Sequence, residues 1–254
     1  MPVGNFGESV GAGQDAAVRA QETSEALAIL QRMDEFLGSQ ARISLSAEIG
    51  FEVVQADGQK IEFGGTRRVD VRRPDRIRLE SRSRDGEIRF IYINDRRVTG
   101  AIPQKNLYSS VEGPSSLVSA IDFLVDEVGI PVPLADLLQP NFYEEVSASV
   151  ESGALVGEEW MDGTLCDHLA FRGANVDFQI WVSSGASPLP RRVVINYRNE
   201  EGVPQFWARY QHWNLAPSLP DELFQFTPPP GATRVSFEEL LGRASDGPGG
   251  ENDE

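Results

Sequence analysis

Cys166, Asp167 and His168 are the one place where side-chain types used in covalent catalysis stand together. On an extended chain Cys166 and His168 share a face, close enough for an imidazole to take a proton from a thiol. Such a nucleophile also needs a group to orient the histidine and donors for an oxyanion, and the sequence specifies neither. A buried thiol beside a hydrogen-bonded histidine explains the same residues with fewer requirements, so a Cys/His hydrolase is the least favoured reading. His212, between Gln211 and Trp213, reads as structural in the same way. Two histidines and one cysteine cannot assemble a zinc site of the usual kind, and the lone cysteine excludes an internal disulfide. Gly11-Ala12-Gly13-Gln14-Asp15-Ala16 matches a dinucleotide-binding string, but no strand precedes it. The chain has no GK[ST], HExxH, EF-hand or GxSxG pattern, and the spacing of its carboxylates picks out no acid/base pair. The expectation is a protein with no catalytic residue, no metal and no cofactor.

Charge narrows the partners. Lys+Arg number 23 and Asp+Glu 39, a formal net charge of −16. Phosphate backbones repel such a surface, which argues against nucleic acid and for a soluble monomer. No stretch approaches the roughly 20 apolar residues of a membrane helix, so the chain is not expected to be transmembrane. Residues 1–14 are Gly-rich, without the basic and apolar regions of a signal peptide. They read as a flexible N-terminus, and cytoplasmic residence is expected if no leader has been removed. Residues 242–254 read as a disordered acidic tail, leaving 15–241 as a single folded domain.

The elements follow from hydrophobic period. Ala26, Leu30, Met33 and Leu37, widened by Ile29 and Phe36, predict a helix over Asp15–Leu37 that lies on a core. From Ile43 the period becomes two, through Phe51 and Val53. Asp57-Gly58 and Asp85-Gly86 supply hairpin turns into Ile61, Phe63, Val69 and Val71, then Ile77 and Leu79, then Ile88 to Ile93. Leu117, Val118, Ile121, Leu124, Val125 and Val128 form an amphipathic helix, each side chain worth roughly 1.5–3 kcal/mol if buried. Strands return over Val146–Val150, Ala154–Trp160, Thr164–Arg172, Val176–Val182, Arg191–Tyr197 and Gln205–Leu215. The expected class is α+β: a strongly curved antiparallel sheet, an incomplete (half-open) barrel, with helices packed in and over its concave face.

Eleven arginines stand between Arg67 and Arg97. A solvated strand face with pairing to Asp70, Asp75, Glu80 and Glu87 explains them, and a docking face for an acidic partner is the sharper alternative. The aromatic residues from Trp160 to Trp213 wall either a filled core or a pocket, and alternation cannot separate the two.

Three stretches carry a resemblance. They are Cys166-Asp167-His168-Leu169-Ala170-Phe171-Arg172 with Val176-Asp177-Phe178-Gln179-Ile180-Trp181 and Pro188-Leu189-Pro190-Arg191-Arg192, then Arg73-Pro74-Asp75-Arg76-Ile77-Arg78-Leu79, and Phe224-Gln225-Phe226-Thr227-Pro228-Pro229-Pro230-Gly231-Ala232. Together they are similar to an uncharacterised bacterial family of predicted periplasmic proteins related to the LolA/LolB lipoprotein carriers, over about Glu25 to Leu241. The resemblance implies a LolA/LolB-like half-barrel, a periplasmic location and an apolar cavity for the acyl chains of a lipid or acylated protein. With it, alternation nominates Leu117, Ile121, Leu124 and Val125 as a covering helix face. It nominates Phe178, Ile180, Val182, Val193, Ile195 and Tyr197 as the wall, a choice that a one-residue slip would invert. The leading expectation is non-enzymatic binding of acyl chains, as an envelope carrier. The alternative is an interaction or envelope-stress sensor module with a protein partner.

Overall fold

The structure, a computed structural model, describes residues 8–113, 119, 137, 139 and 142–241. Helix α1 (Glu8–Gly38) begins seven residues before the predicted Asp15. No proline stands in its path, and Gly11 and Gly13 weaken helix propensity without ending it. Its buried stripe is Ala26, Ile29, Leu30, Met33 and Leu37, while Phe36, which the period also selects, is half-buried.

Twelve strands follow in one mostly antiparallel sheet: β1 (Arg42–Val54), β2 (Lys60–Arg72), β3 (Arg76–Ser83), β4 (Ile88–Asn94), β5 (Arg97–Ile102), β6 (Leu107–Glu112), β7 (Val150–Met161), β8 (Thr164–Gly173), β9 (Val176–Ser183), β10 (Pro190–Tyr197), β11 (Gln205–Asn214) and β12 (Thr233–Arg234). The order is β12-β6-β5-β4-β3-β2-β1-β11-β10-β9-β8-β7, and β12 alone runs parallel, to β6. The two ends do not pair, so the α+β fold is an open sheet and not a closed barrel. The predicted turns are present: Gly58 and Gly86 take positive φ, as does Gly163 after Asp162, which suits the tight hairpins that Asp-Gly pairs form.

Among the described residues two short helices follow, α2 (Phe142–Ser149) and α3 (Phe237–Leu241). The first corrects an expectation. Val146–Ser149, read as strand, is the last turn of a helix whose first turn carries Glu144 and Glu145, favourable at a helix N-terminus. The helix expected over Leu117–Val128 lies outside the described residues.

The chain divides into two compact units. Unit 1 holds α1, α2, β7–β10, the β1–β2 hairpin over Gly50–Glu62, and the start of β11. There α1 packs on β7 and β9. The β7 amide of Gly153 donates to Thr23 Oγ1 of α1 at 2.9 Å. A Cβ at Gly153 would lie 2.6 Å from the Phe171 ring, so only glycine lets β7 and Phe171 approach this closely. Unit 2 holds β3–β6, most of β2, residues 40–49 of β1, the end of β11 and the C-terminal segment. Its core is Ile43, Leu45, Val69, Val71, Ile77, Leu79, Ile91, Ile93 and Val98.

Candidate functional site

In unit 1 the wall is built in cross-strand rows. Leu169, Ile180, Val193 and Ala208 stand opposite one another across β8–β11 and are all buried. One step along the strands come Phe171, Phe178, Ile195 and Phe206, with Phe171 and Phe178 stacked at 4.8 Å between ring centroids. Phe171 and Phe206 are buried, while Phe178 and Ile195 are only half-covered. The next row, Val176 and Tyr197, is half-covered throughout. Ile180, Val182 and Val193 are therefore core, and Phe178, Ile195 and Tyr197 form the open end of the same apolar face. Leu117, Ile121, Leu124 and Val125 lie outside the described residues.

The β1–β2 hairpin adds apolar side chains of the alternating run that begins at Ile43 and continues past the Asp57-Gly58 turn. Phe51, Val53 and Ile61 are 39%, 36% and 39% exposed. Two residues on from the Gln55–Gln59 backbone bond, Val53 and Ile61 come opposite each other. Their alternation gives no sign of exposure, because it is the same for a covered and an uncovered face.

On the opposite face of β8–β10, Cys166, Trp181 and Val194 form a small buried apolar cluster with Met161 and Trp207 packed against it. His168 stacks on Trp181 with centroids 4.1 Å apart, and Arg192 lies over the indole. Trp181 Nε1 donates to Glu159 at 3.0 Å, and the His168 ring nitrogens lie 3.0 Å from Glu159 and 2.9 Å from Gln179. The indole hydrogen bond first, then the neighbouring His168, hold the Glu159 carboxyl below its ordinary value. Cys166 shares this face, as its spacing requires, but its thiol donates to the Thr164 carbonyl at 3.5 Å. Burial, the largest influence, pushes that thiol up, which opposes a nucleophilic thiolate. His168 is engaged at both nitrogens by other groups, so the hydrolase reading gains no support. His212 Nδ1 lies 2.7 Å from the Ser46 hydroxyl. Among the described residues no group of three or more His, Cys, Asp or Glu is arranged to hold a metal ion.

Most of the arginine-rich face of unit 2 is matched by carboxylates. Arg68 and Arg78 reach Asp70, whose side chain is buried and also accepts from Ser44; Arg78 reaches Glu80, Arg76 Asp75 and Arg96 Glu112. Arg72 pairs with Asp221 and lies over the buried Phe224 ring. The segment Phe224–Thr227 crosses this face, Phe226 meeting Tyr92 and Tyr108, and leaves a cavity of about 200 Å³ beside Tyr92, Asn94, Arg97 and Thr99. That is below the 300–1,000 Å³ of most small-molecule sites.

Comparison with protein families matches residues 26–238 to the family described as "Predicted periplasmic protein (DUF2092)". The chain belongs to this family. No curated protein matches the DUF2092 chain significantly. LprF from Mycobacterium bovis is 12% identical over 78% of this chain and 97% of its own, with a TM-score of 0.50, and shares the fold. The Mycobacterium tuberculosis lipoprotein LppX is 13% identical over 77% and 98%, with a TM-score of 0.48. The LolA superfamily protein NE2245 from Nitrosomonas europaea is 14% identical over 79% and 97%, with a TM-score of 0.37. Among the described residues of the DUF2092 chain no helix is long and apolar enough to cross a membrane.

Proposed function

We propose that this DUF2092 protein binds acyl chains, of a lipid or an acylated protein, on the apolar face of unit 1 and carries them without chemical change. The observation that supports this is the graded exposure of one apolar face. A fully buried row, Leu169–Ile180–Val193–Ala208, gives way to the half-covered Phe178, Ile195 and Tyr197, while Phe51, Val53 and Ile61 of the same unit stay open to solvent. Large apolar groups left uncovered together mark a binding surface more often than scattered ones do. Leu117, Ile121, Leu124 and Val125 remain part of the proposal as further ligand contacts. The alternative, a protein-docking face on the arginine-rich strands, is favoured less because Asp70, Asp75, Glu80, Glu112 and Asp221 already engage those arginines.

Burying each methylene is worth about 0.8 kcal/mol, close to a fourfold gain in affinity. A series of saturated monoacylglycerols titrated into the protein should therefore gain roughly fourfold per added carbon until the apolar face is covered, then level off. Replacing Phe178 and Ile195 together by glutamate should abolish the gain while circular dichroism stays unchanged. Chain-length-independent binding, or none by the wild type, would sink the carrier reading.

A further inference from the structure

Strand alternation puts Arg67 and Arg89 on the apolar face of unit 2, although the sequence reading grouped them with the wet-face arginines. Arg67 stands two residues before Val69 on β2, and Arg89 two before Ile91 on β4. Across the strands, Arg67 lies opposite Ser81 of β3, and Ser81 opposite Arg89. The adjacent row is the buried Val69, Leu79 and Ile91. Two guanidinium groups thus border an apolar surface with only a serine between them.

They are unequally matched. Arg89 Nε donates to Glu87 at 2.6 Å, and Lys105 Nζ reaches the other oxygen of the same carboxylate at 2.5 Å. Burial, the largest influence, raises the Glu87 carboxyl, but Lys105 and Arg89 together hold it below its ordinary value. Asp85, in the neighbouring turn, is engaged by the Ser83 hydroxyl and the Glu87 amide. Arg67 donates to the Thr66 carbonyl at 3.2 Å, and among the described residues it meets no carboxylate. Burial first, and then the charge of Arg89, bring its guanidinium down to about 10, still cationic at neutral pH. Like charges held together against apolar surface are costly, and an anion between them removes that cost.

We propose that Arg67 and Arg89 form a binding site for an oxyanion, a phosphate or carboxylate, carried as the head of an amphiphile. Arginine's planar fork of donors matches both oxyanions. The proposal takes its ligand class from the acyl-binding reading, but the anion site stands or falls separately.

Calorimetric titration of the full chain with three probes tests it: palmitic acid, its neutral counterpart monopalmitoylglycerol, and inorganic phosphate. The wild type should prefer the anionic amphiphile by at least tenfold. Arg67→Gln should remove most of that preference and leave the neutral affinity unchanged; Arg67→Lys, which keeps the charge but not the fork, should restore part of it. Arg89→Gln provides an independent second variant should Arg67→Gln lower the melting temperature. Equal affinity for both amphiphiles, or a preference that survives both glutamine variants, overturns the site while leaving acyl binding intact. If neither amphiphile binds but phosphate does, and Arg67→Gln abolishes it, the acyl reading falls and the site takes a free anion. Loss of folding stability in both variants, with no anion bound by the wild type, would show the arginines to be structural and overturns the proposal.

Discussion

Cys166 and Glu87 show how single side chains are set by what surrounds them. The Cys166 thiol is buried, donates to a backbone carbonyl and is pushed above its ordinary 9.0. Thiolate is the reacting species, so folded protein at pH 7.5 should react with a disulfide reagent at least a hundredfold more slowly than protein in strong denaturant. Equal rates would mean an exposed, activated cysteine and would reopen the hydrolase reading. Glu87 is the opposite case, a carboxyl held below its ordinary 4.5 by Lys105 and Arg89 against the upward push of burial. A depressed folded-state value stabilises the protein above the unfolded value and ceases to do so as pH falls through the depressed one. Glu87→Gln should thus lower stability by up to about 1 kcal/mol at pH 7, and the difference should vanish as the pH drops below 4.5. Denaturant midpoints at pH 7 and pH 3.5 test the sign; a difference that grows with acid would refute it. The placement of Arg67 and Arg89 on one face was legible in principle. Arg67 precedes Val69, and Arg89 Ile91, by the two-residue step that also placed Phe178 and Ile180 on one face. Grouping all eleven arginines by composition hid that parity.

At the scale of elements, the strands were readable because alternation and Asp-Gly turns act locally, and α1 because its stripe has the period of 3.6. The C-terminal clasp was not. Phe224–Thr227 covers the polar face of β4, β12 pairs with the edge strand β6, and α3 sets Phe237 and Leu240 on the apolar face beside Gly100. Two paired residues and a five-residue helix carry no periodic signal, and what fixes them is contact with strands about 130 residues earlier in the chain. Helix α2 was missed because Val146 between polar neighbours imitates a strand edge. The clasp has a weak point that can be tested. A Cβ at Gly100 would lie 2.8 Å from Leu240 and 2.9 Å from Phe237, so a larger residue there must displace α3. Gly100→Val should cost roughly 1–3 kcal/mol. It should also make the chain after Ala232 sensitive to limited proteolysis, leaving the cleaved product with its strand content. Unchanged protease resistance would show that α3 does not depend on that close approach.

For the whole molecule, the dominant long-range property is a net charge of −16, against which the cationic pair Arg67 and Arg89 is a local exception. Charges on the surface act over the Debye length, about 10 Å at 0.1 M salt, whereas partly buried groups at close range are screened far less. The two scales make opposite demands on an anionic ligand. Approach to an anionic bilayer is repelled by the molecule as a whole, while an oxyanion already at the arginines is attracted. Salt therefore separates them. Uptake of a fluorescent fatty acid from phosphatidylglycerol vesicles should accelerate several-fold between 20 mM and 300 mM salt, because screening removes the repulsion that slows encounter. From phosphatidylcholine vesicles the rate should change little. Affinity for the same acid free in solution should fall only modestly over that range, since the local contact is short and half-buried. A protein that uses a basic docking face would behave in reverse, with uptake from anionic vesicles slowing as salt rises. Stopped-flow transfer measured at both salt concentrations decides between them, and slowing would return the arginine-rich strands to the centre of the functional reading.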